Sequence, residues 1–258
     1  MNRIRYAACP LCDGARLALK AEADCRGHAL YRAPLPPTIR WRECAECGHV
    51  FADGYFDAEA EALLFSQAHA FQTVGHDYER QRAVWSRVVE IAQALVGLGG
   101  GWLDVGFGDG ALLLTAKELG FAPFGLDLRA AQVEALAALG VPAECVALED
   151  FNRRRFDVVS LMDVLEHMPF PRAALARAAA LTAPGGVLIL SCPSYASPAW
   201  EALQRTGNPY WSEIEHLHNF SRAALAKMLA AEGFHIRRAR VSDRYRGGVE
   251  LYAQRGCS

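Results

Sequence analysis

The chain has no apolar run approaching the roughly 20 residues that a membrane-crossing helix needs, so no helical span is expected. It also lacks net charge. The 27 Lys and Arg against 29 Asp and Glu leave a formal charge of −2, which gives no long-range attraction toward nucleic acid or an anionic membrane. Arg153-Arg154-Arg155 and Arg237-Arg238 with Arg240 are local basic spots that read as solvated surface. No repeat of domain size is present. The basic N-terminus is interrupted by Cys9-Pro10-Leu11-Cys12-Asp13 before an apolar stretch can build, which argues against a secretory leader; a cytoplasmic protein is the expectation.

What the chain does have is enough material for one large domain and a small appendage: 258 residues, 52% of them apolar. Of its eight cysteines, four form two C-x-x-C pairs, Cys9 with Cys12 and Cys44 with Cys47. In a reducing compartment such pairs suggest metal before disulfides. Two knuckles of this kind close a tetrahedral four-sulfur site with no open position, so the expected ion is structural zinc. The 31 residues between the knuckles exceed the usual spacing of a zinc ribbon. Buried thiols are expected at Cys145 and Cys192.

The richest stretch is residues 102–110, W-L-D-V-G-F-G-D-G, where a short apolar strand ends in three glycines spaced by two. Glycine lets the main chain approach a ligand where a side chain would clash. Seventeen residues after Gly110, Phe124-Gly125-Leu126-Asp127 reads as a second strand delivering a carboxylate suited to a ribose diol. Gly106, Gly108 and Ala111 also fit a dinucleotide fingerprint, so an NAD enzyme competes. Three features oppose it: Asp104 inside the strand, the strand 156–161 running into Met162-Asp163-Val164-Leu165-Glu166-His167, and Ala183-Pro184-Gly185-Gly186 turning into an apolar strand.

In that order and spacing, over roughly residues 75–255, these segments resemble the class I S-adenosylmethionine-dependent methyltransferases. The fold implied is α/β: a Rossmann-like seven-stranded sheet with helices on both faces, preceded here by a small zinc-ribbon domain. Strands are expected near 102–105, 122–126, 143–146, 156–162, 186–191, 234–241 and 248–254, and helices near 79–96, 109–119, 129–139, 171–181 and 221–232. Residues 1–55 are assigned to the ribbon, 56–80 to a bridge and 81–258 to the methyltransferase domain. Phe56, Phe65, His69, Phe71, His76 and Tyr78 of the bridge line a pocket or pack the two domains. Cys192 to Phe220 reads as irregular.

The resemblance implies that Asp104, Gly106 and Gly108 surround the methionine end of S-adenosylmethionine and that Asp127 binds its ribose. Leu128, Leu148 and Glu149 would meet the adenine, and Met162 and Asp163 would line the floor. Methyl transfer also needs an aligned acceptor and, for oxygen or carbon nucleophiles, a proton acceptor. Residues 215–221, E-H-L-H-N-F-S, resemble a stretch of zinc-ribbon sugar C-methyltransferases whose Glu and His correspond to Glu215 and His216. His216, with Glu215, is the candidate base, although Glu213 stands where those enzymes carry Tyr. Metal-dependent relatives instead carry E-x-x-E-H, matched here by Asp163, Glu166 and His167, with a later His, and use a divalent ion to activate a hydroxyl. The expected acceptor is a small molecule, such as a sugar nucleotide or a secondary-metabolite intermediate. An RNA methyltransferase gripping RNA through the ribbon, or a cofactor-binding module without catalysis, are the alternatives.

Overall fold

A computed structural model describes residues 3–66, 72–245 and 247–256. The first part of the chain forms β1 (Arg3–Arg5), β2 (Leu17–Asp24), β3 (Thr38–Cys44), β4 (Val50–Ala52), β5 (Gly54–Phe56) and α1 (Ala58–Leu64). The larger part runs α2 (Tyr78–Val96), β6 (Gly101–Val105), α3 (Ala111–Glu118), β7 (Ala122–Asp127), α4 (Ala130–Ala138), β8 (Ala143–Cys145), β9 (Phe156–Met162) and α5 (Pro171–Leu181). It continues through β10 (Thr182–Pro193), α6 (Pro198–Thr206), β11 (His218–Asn219), α7 (Arg222–Ala231), β12 (Phe234–Val241) and β13 (Gly248–Arg255).

Seven strands join in the order β12-β13-β10-β9-β6-β7-β8. The five strands from β10 to the edge strand β8 are parallel, and β13 is antiparallel to both its neighbours. Successive side chains of a strand point to opposite faces, and here both faces are apolar, as a sheet covered by helices requires. Val159 and Leu161 of β9, Leu103 of β6 and Leu188 of β10 pack with Leu175 of α5 and Leu225 of α7. On the other face Val158, Trp102 and Ile189 meet Val88 of α2, Leu112 of α3 and Leu136 of α4. From β6 the chain proceeds to β7 and β8 on one side and then returns to β9 and β10 on the other. The reversal opens a crevice at the carboxyl ends of β6 and β9, the place where open α/β sheets bind ligands.

The strands and helices expected of the sheet domain are all present, with ends moved by a few residues. The largest change is at β10, which begins at Thr182 and carries Ala183-Pro184-Gly185-Gly186 as a register shift inside the strand rather than as a turn before it. Cys192 is buried as expected; Cys145 is exposed, because the short edge strand β8 turns it away from the core. The stretch Cys192 to Phe220 is not irregular throughout. Ser197 caps α6 by accepting from the Trp200 amide at 3.1 Å, and Pro198 occupies the first turn where its missing N–H costs nothing.

A second sheet, in the order β11-β4-β3-β2, crosses the expected boundary between the two domains. Its first three strands belong to the N-terminal segment. The fourth is His218–Asn219, with His218 opposite Phe51 and Asn219 opposite Val50. Around it Trp41, Leu30, Leu35 and Leu64 share one buried cluster with Ile214 and Leu217. Of the bridge aromatics, Phe56 lies in this cluster and Phe65 packs on it, while Tyr78 packs on α3 and donates to Glu118 at 3.0 Å. His69 and Phe71 lie outside the described residues.

Candidate active site

A cavity of about 460 Å³ opens at the carboxyl ends of β6 and β9. Five of the expected cofactor residues, Asp104, Gly106, Gly108, Met162 and Asp163, line it. Gly106 and Gly108 both have positive φ, +66° and +57°, a region that other residues adopt only with strain. A Cβ on Gly106 would stand 2.8 Å from Val164 Cγ2, whereas the space beside Gly108 is open. The loop therefore presents bare backbone to the cavity, a fit to a ligand that approaches closely.

Asp104 is held by a buried chain of donors. Trp102 Nε1–H donates to Ser160 Oγ at 2.9 Å, and Ser160 donates to Asp104 Oδ1 at 2.6 Å. Burial nevertheless outweighs that bond and pushes the Asp104 carboxyl up to about 7. Asp109, also lining the cavity, is raised by burial too.

Asp127, at the end of β7, is 5% exposed. It is gripped by Arg129, with Nε to Oδ1 at 2.8 Å and Nη2 to Oδ2 at 2.7 Å. Arg129 also donates to Gln72 at 2.9 Å, so the segment before α2 reaches the residue that grips Asp127. Leu128 is exposed, Leu148 packs into the core under α5, and Glu149 lies on the surface. These three and Asp127 lie outside the lining of the cavity itself.

Sequence reasoning missed Trp85, Arg244 and Tyr245, which line the same cavity. Arg244, on the hairpin between β12 and β13, donates to Asp163 Oδ2 at 2.5 Å and to Ser191 Oγ at 2.6 Å, with its guanidinium 4.4 Å above the Trp85 ring. No local pattern in the sequence marks it; only the return of the terminal hairpin over the crevice puts it there.

Glu166, His167 and His216 come together beside this cavity, with ligating atoms all within 4.8 Å of one another. Both Glu166 carboxylate oxygens are buried and unpartnered among the described residues, as is His216 Nδ1. Burial, then the nearby Asp163, holds the Glu166 carboxyl well above its usual range. Burial lowers His216 to about 4, so its ring is neutral near pH 7. His167 Nδ1 lies 3.1 Å from the Glu215 carbonyl; a proton on that nitrogen leaves Nε2 with a lone pair, the usual arrangement of a ligating histidine. Asp163, committed to Arg244, is not part of this group.

The four cysteines Cys9, Cys12, Cys44 and Cys47 also converge within 4.8 Å. Cys9 Sγ to Cys47 Sγ and Cys12 Sγ to Cys44 Sγ are both 3.6 Å. Four sulfurs about 2.3 Å from one zinc would stand about 3.8 Å apart, so the donor set fits that ion. The two knuckles match each other: the Asp13 amide donates to the Cys9 carbonyl at 2.9 Å and the Gly48 amide to the Cys44 carbonyl at 2.8 Å.

Among known proteins, residues 74–239 match the model of a family described as "Methyltransferase domain". The chain is 35% identical over 96 residues to the ubiquinone biosynthesis O-methyltransferase of Rhodopseudomonas palustris strain BisB18, covering 34% of this chain and 38% of that one. It is 37% identical over 115 residues to the enzyme of the same name from Alkalilimnicola ehrlichii, covering 41% and 47%. The match thus spans less than half of either relative. In fold it is similar to the 1,6-didemethyltoxoflavin-N1-methyltransferase of Burkholderia thailandensis, solved with S-adenosylhomocysteine, with TM-score 0.59, 22% identity, and coverage of 82% of this chain and 97% of that one. It is also similar to the magnesium protoporphyrin IX methyltransferase of Synechocystis PCC 6803, with TM-score 0.55, 20% identity, and coverage of 79% and 90%. The match over most of the sheet domain, with a glycine loop and buried acid at the switch point of a seven-stranded sheet, makes the chain a member of the class I S-adenosylmethionine-dependent methyltransferase family.

Proposed function

We propose that the protein transfers a methyl group from S-adenosylmethionine to a small-molecule acceptor. The observation that carries this reading is the cavity at the carboxyl ends of β6 and β9, walled by the bare Gly106–Gly108 backbone and by Asp104. When bound, the cofactor supplies an electrophilic methyl on a sulfonium that is already a good leaving group. The chain's own work is then to bind, orient and, for a hydroxyl or carbon acceptor, hold a proton. Asp104 would face the methionine ammonium, Gly106 and Gly108 would give backbone access, and Asp127 would accept from the ribose hydroxyls. Leu128, Leu148 and Glu149 would serve the adenine end, with Met162 and Asp163 at the floor.

His216, neutral at pH 7 and bracketed by Glu215 and His167, is the candidate proton acceptor. The orphaned carboxylate of Glu166 beside two imidazoles favours a second reading of the same residues. In that reading, Glu166, His167 and His216 hold a divalent ion whose chemistry would be to acidify an acceptor hydroxyl. The two readings separate on metal binding: titration of chelator-treated protein with Mg²⁺, Mn²⁺ and Zn²⁺ should give a site lost in Glu166→Gln only under the second. In both, residues 1–55 form a unit closed by structural zinc at Cys9, Cys12, Cys44 and Cys47.

Calorimetric titration with S-adenosylhomocysteine tests the central reading. Saturable binding is expected, weakened strongly in Asp127→Ala. No binding to the wild type, with binding of NAD instead, would overturn it.

A further inference from the structure

The surplus length between the cysteine knuckles is placed by the structure where it can serve the acceptor side. Residues 25–37, between β2 and β3, do not loop into solvent. Cys25, Leu30 and Leu35 are buried in the cluster shared with Ile214 and Leu217, and this excursion carries His28 to the segment after α6. There His28 Nε2 lies 2.6 Å from Glu213 Oε2. The Leu30 amide donates to His28 Nδ1 at 3.2 Å, so Nδ1 offers its lone pair and the proton sits on Nε2, aimed at the carboxylate. Side-chain accessibilities of 12% and 25% place the pair largely out of water, where such a bond is stronger than at an open surface.

Glu213 begins the run that carries Glu215 and His216. The N-terminal segment holds the backbone of that run at two points, Arg3 Nη2 to the Ile214 carbonyl at 3.0 Å and the Ala52 amide to the Leu217 carbonyl at 2.8 Å, and holds the residues just before it through Trp41 Nε1 to the Trp211 carbonyl at 2.9 Å. From the sheet domain the Leu217 amide donates to the Glu166 carbonyl at 2.8 Å. His28 brings a side chain of the excursion onto a charged side chain of the run.

We infer that His28 is a positioning residue of the acceptor site, supplied by the N-terminal unit, which through Glu213 fixes the backbone on which Glu215 and His216 stand. The inference rests on the proposed role of that run in methyl transfer, and it goes beyond it by making the appended unit part of the site.

The test uses the full-length protein as wild type, His28→Ala, His28→Gln and Glu213→Leu, with hydrogen–deuterium exchange followed over residues 211–219. Titration with S-adenosylhomocysteine runs in parallel. For His28→Ala, exchange over 211–219 should rise by about tenfold or more while cofactor-product affinity stays within about twofold. His28→Gln, whose amide can still donate to Glu213, should recover most of the protection. Unchanged exchange in His28→Ala, or opening that His28→Gln fails to rescue, would overturn the proposal. Should His28→Ala not fold, Glu213→Leu decides: it leaves the ring in place but removes the acceptor, and unaltered protection there also overturns it. A wild type that binds no S-adenosylhomocysteine would strike the methyltransferase reading and leave the His28 contact standing.

Discussion

Asp104 shows how one buried side chain can set a working pH range. A carboxyl raised to about 7 by burial is half protonated near neutrality. An ammonium beside it favours the ionised form, so ligand binding is linked to proton release. The sign follows: affinity for S-adenosylhomocysteine should be highest above pH 7 and fall as pH drops through 7 toward 5.5, by up to about tenfold per unit. Calorimetry across that range checks this, and Asp104→Asn should flatten the dependence near neutrality. In the proposed ribose-binding role of Asp127, removal of its carboxylate should cost about 1.5–3 kcal/mol, or roughly 10- to 150-fold in affinity. Asp127→Asn should fall between wild type and Asp127→Ala, since it keeps one acceptor. Both acids were legible in the sequence because a strand end adjoining glycine is a local pattern. Arg244 was not, since its partners Asp163 and Ser191 lie 81 and 53 residues away along the chain.

Elements with a strong period were legible for the same reason. β6, β9 and α5 follow the alternation and helical spacing of their apolar residues almost to the residue. α6 falls within Cys192 to Phe220, a stretch expected to be irregular, although Ser197-Pro198 carries a start signal. In fact Trp200 is buried, stacked on Tyr210 at 5.6 Å between centroids and edge-on to Trp211 at 5.4 Å, which makes the aromatics the core of that segment. β11 could not have been read at all: two residues have no period, and only pairing with β4 defines the strand. Ser221 was expected to cap the following helix and does, accepting from the Ala224 amide at 3.1 Å. Ser221→Ala should therefore lower stability by about 1 kcal/mol, a shift of roughly 2–4 °C in Tm measurable by calorimetry.

For the molecule as a whole, the cysteine cluster and the cofactor crevice lie in different sheets, and this separation can be measured. One zinc per chain is expected by elemental analysis. Stripping it with a chelator and a thiol reagent should expose Cys9 and Cys44, loosen β2–β4 and the 211–219 run in hydrogen exchange, and leave S-adenosylhomocysteine binding within about threefold of the loaded protein. Loss of cofactor-product binding in step with the metal would mean that the two sheets unfold as one. The cysteine pairs and the sheet domain were each legible from spacing. Their union was not, because it is made by tertiary contacts such as Trp41 with Trp211, whose ring centroids are 5.7 Å apart.

The pairing of β11 with β4 also orders events at the ribosome. A nascent chain has made all four clustered cysteines by residue 47 and β4 by residue 52, yet the strand that covers the outer edge of β4 is not made until residue 219. At ordinary elongation rates that edge stays open for roughly ten to thirty seconds, a template on which a neighbouring nascent chain could add its own strand. The short length of β4, three residues, limits that hazard during synthesis while still admitting the one late-arriving partner that belongs there.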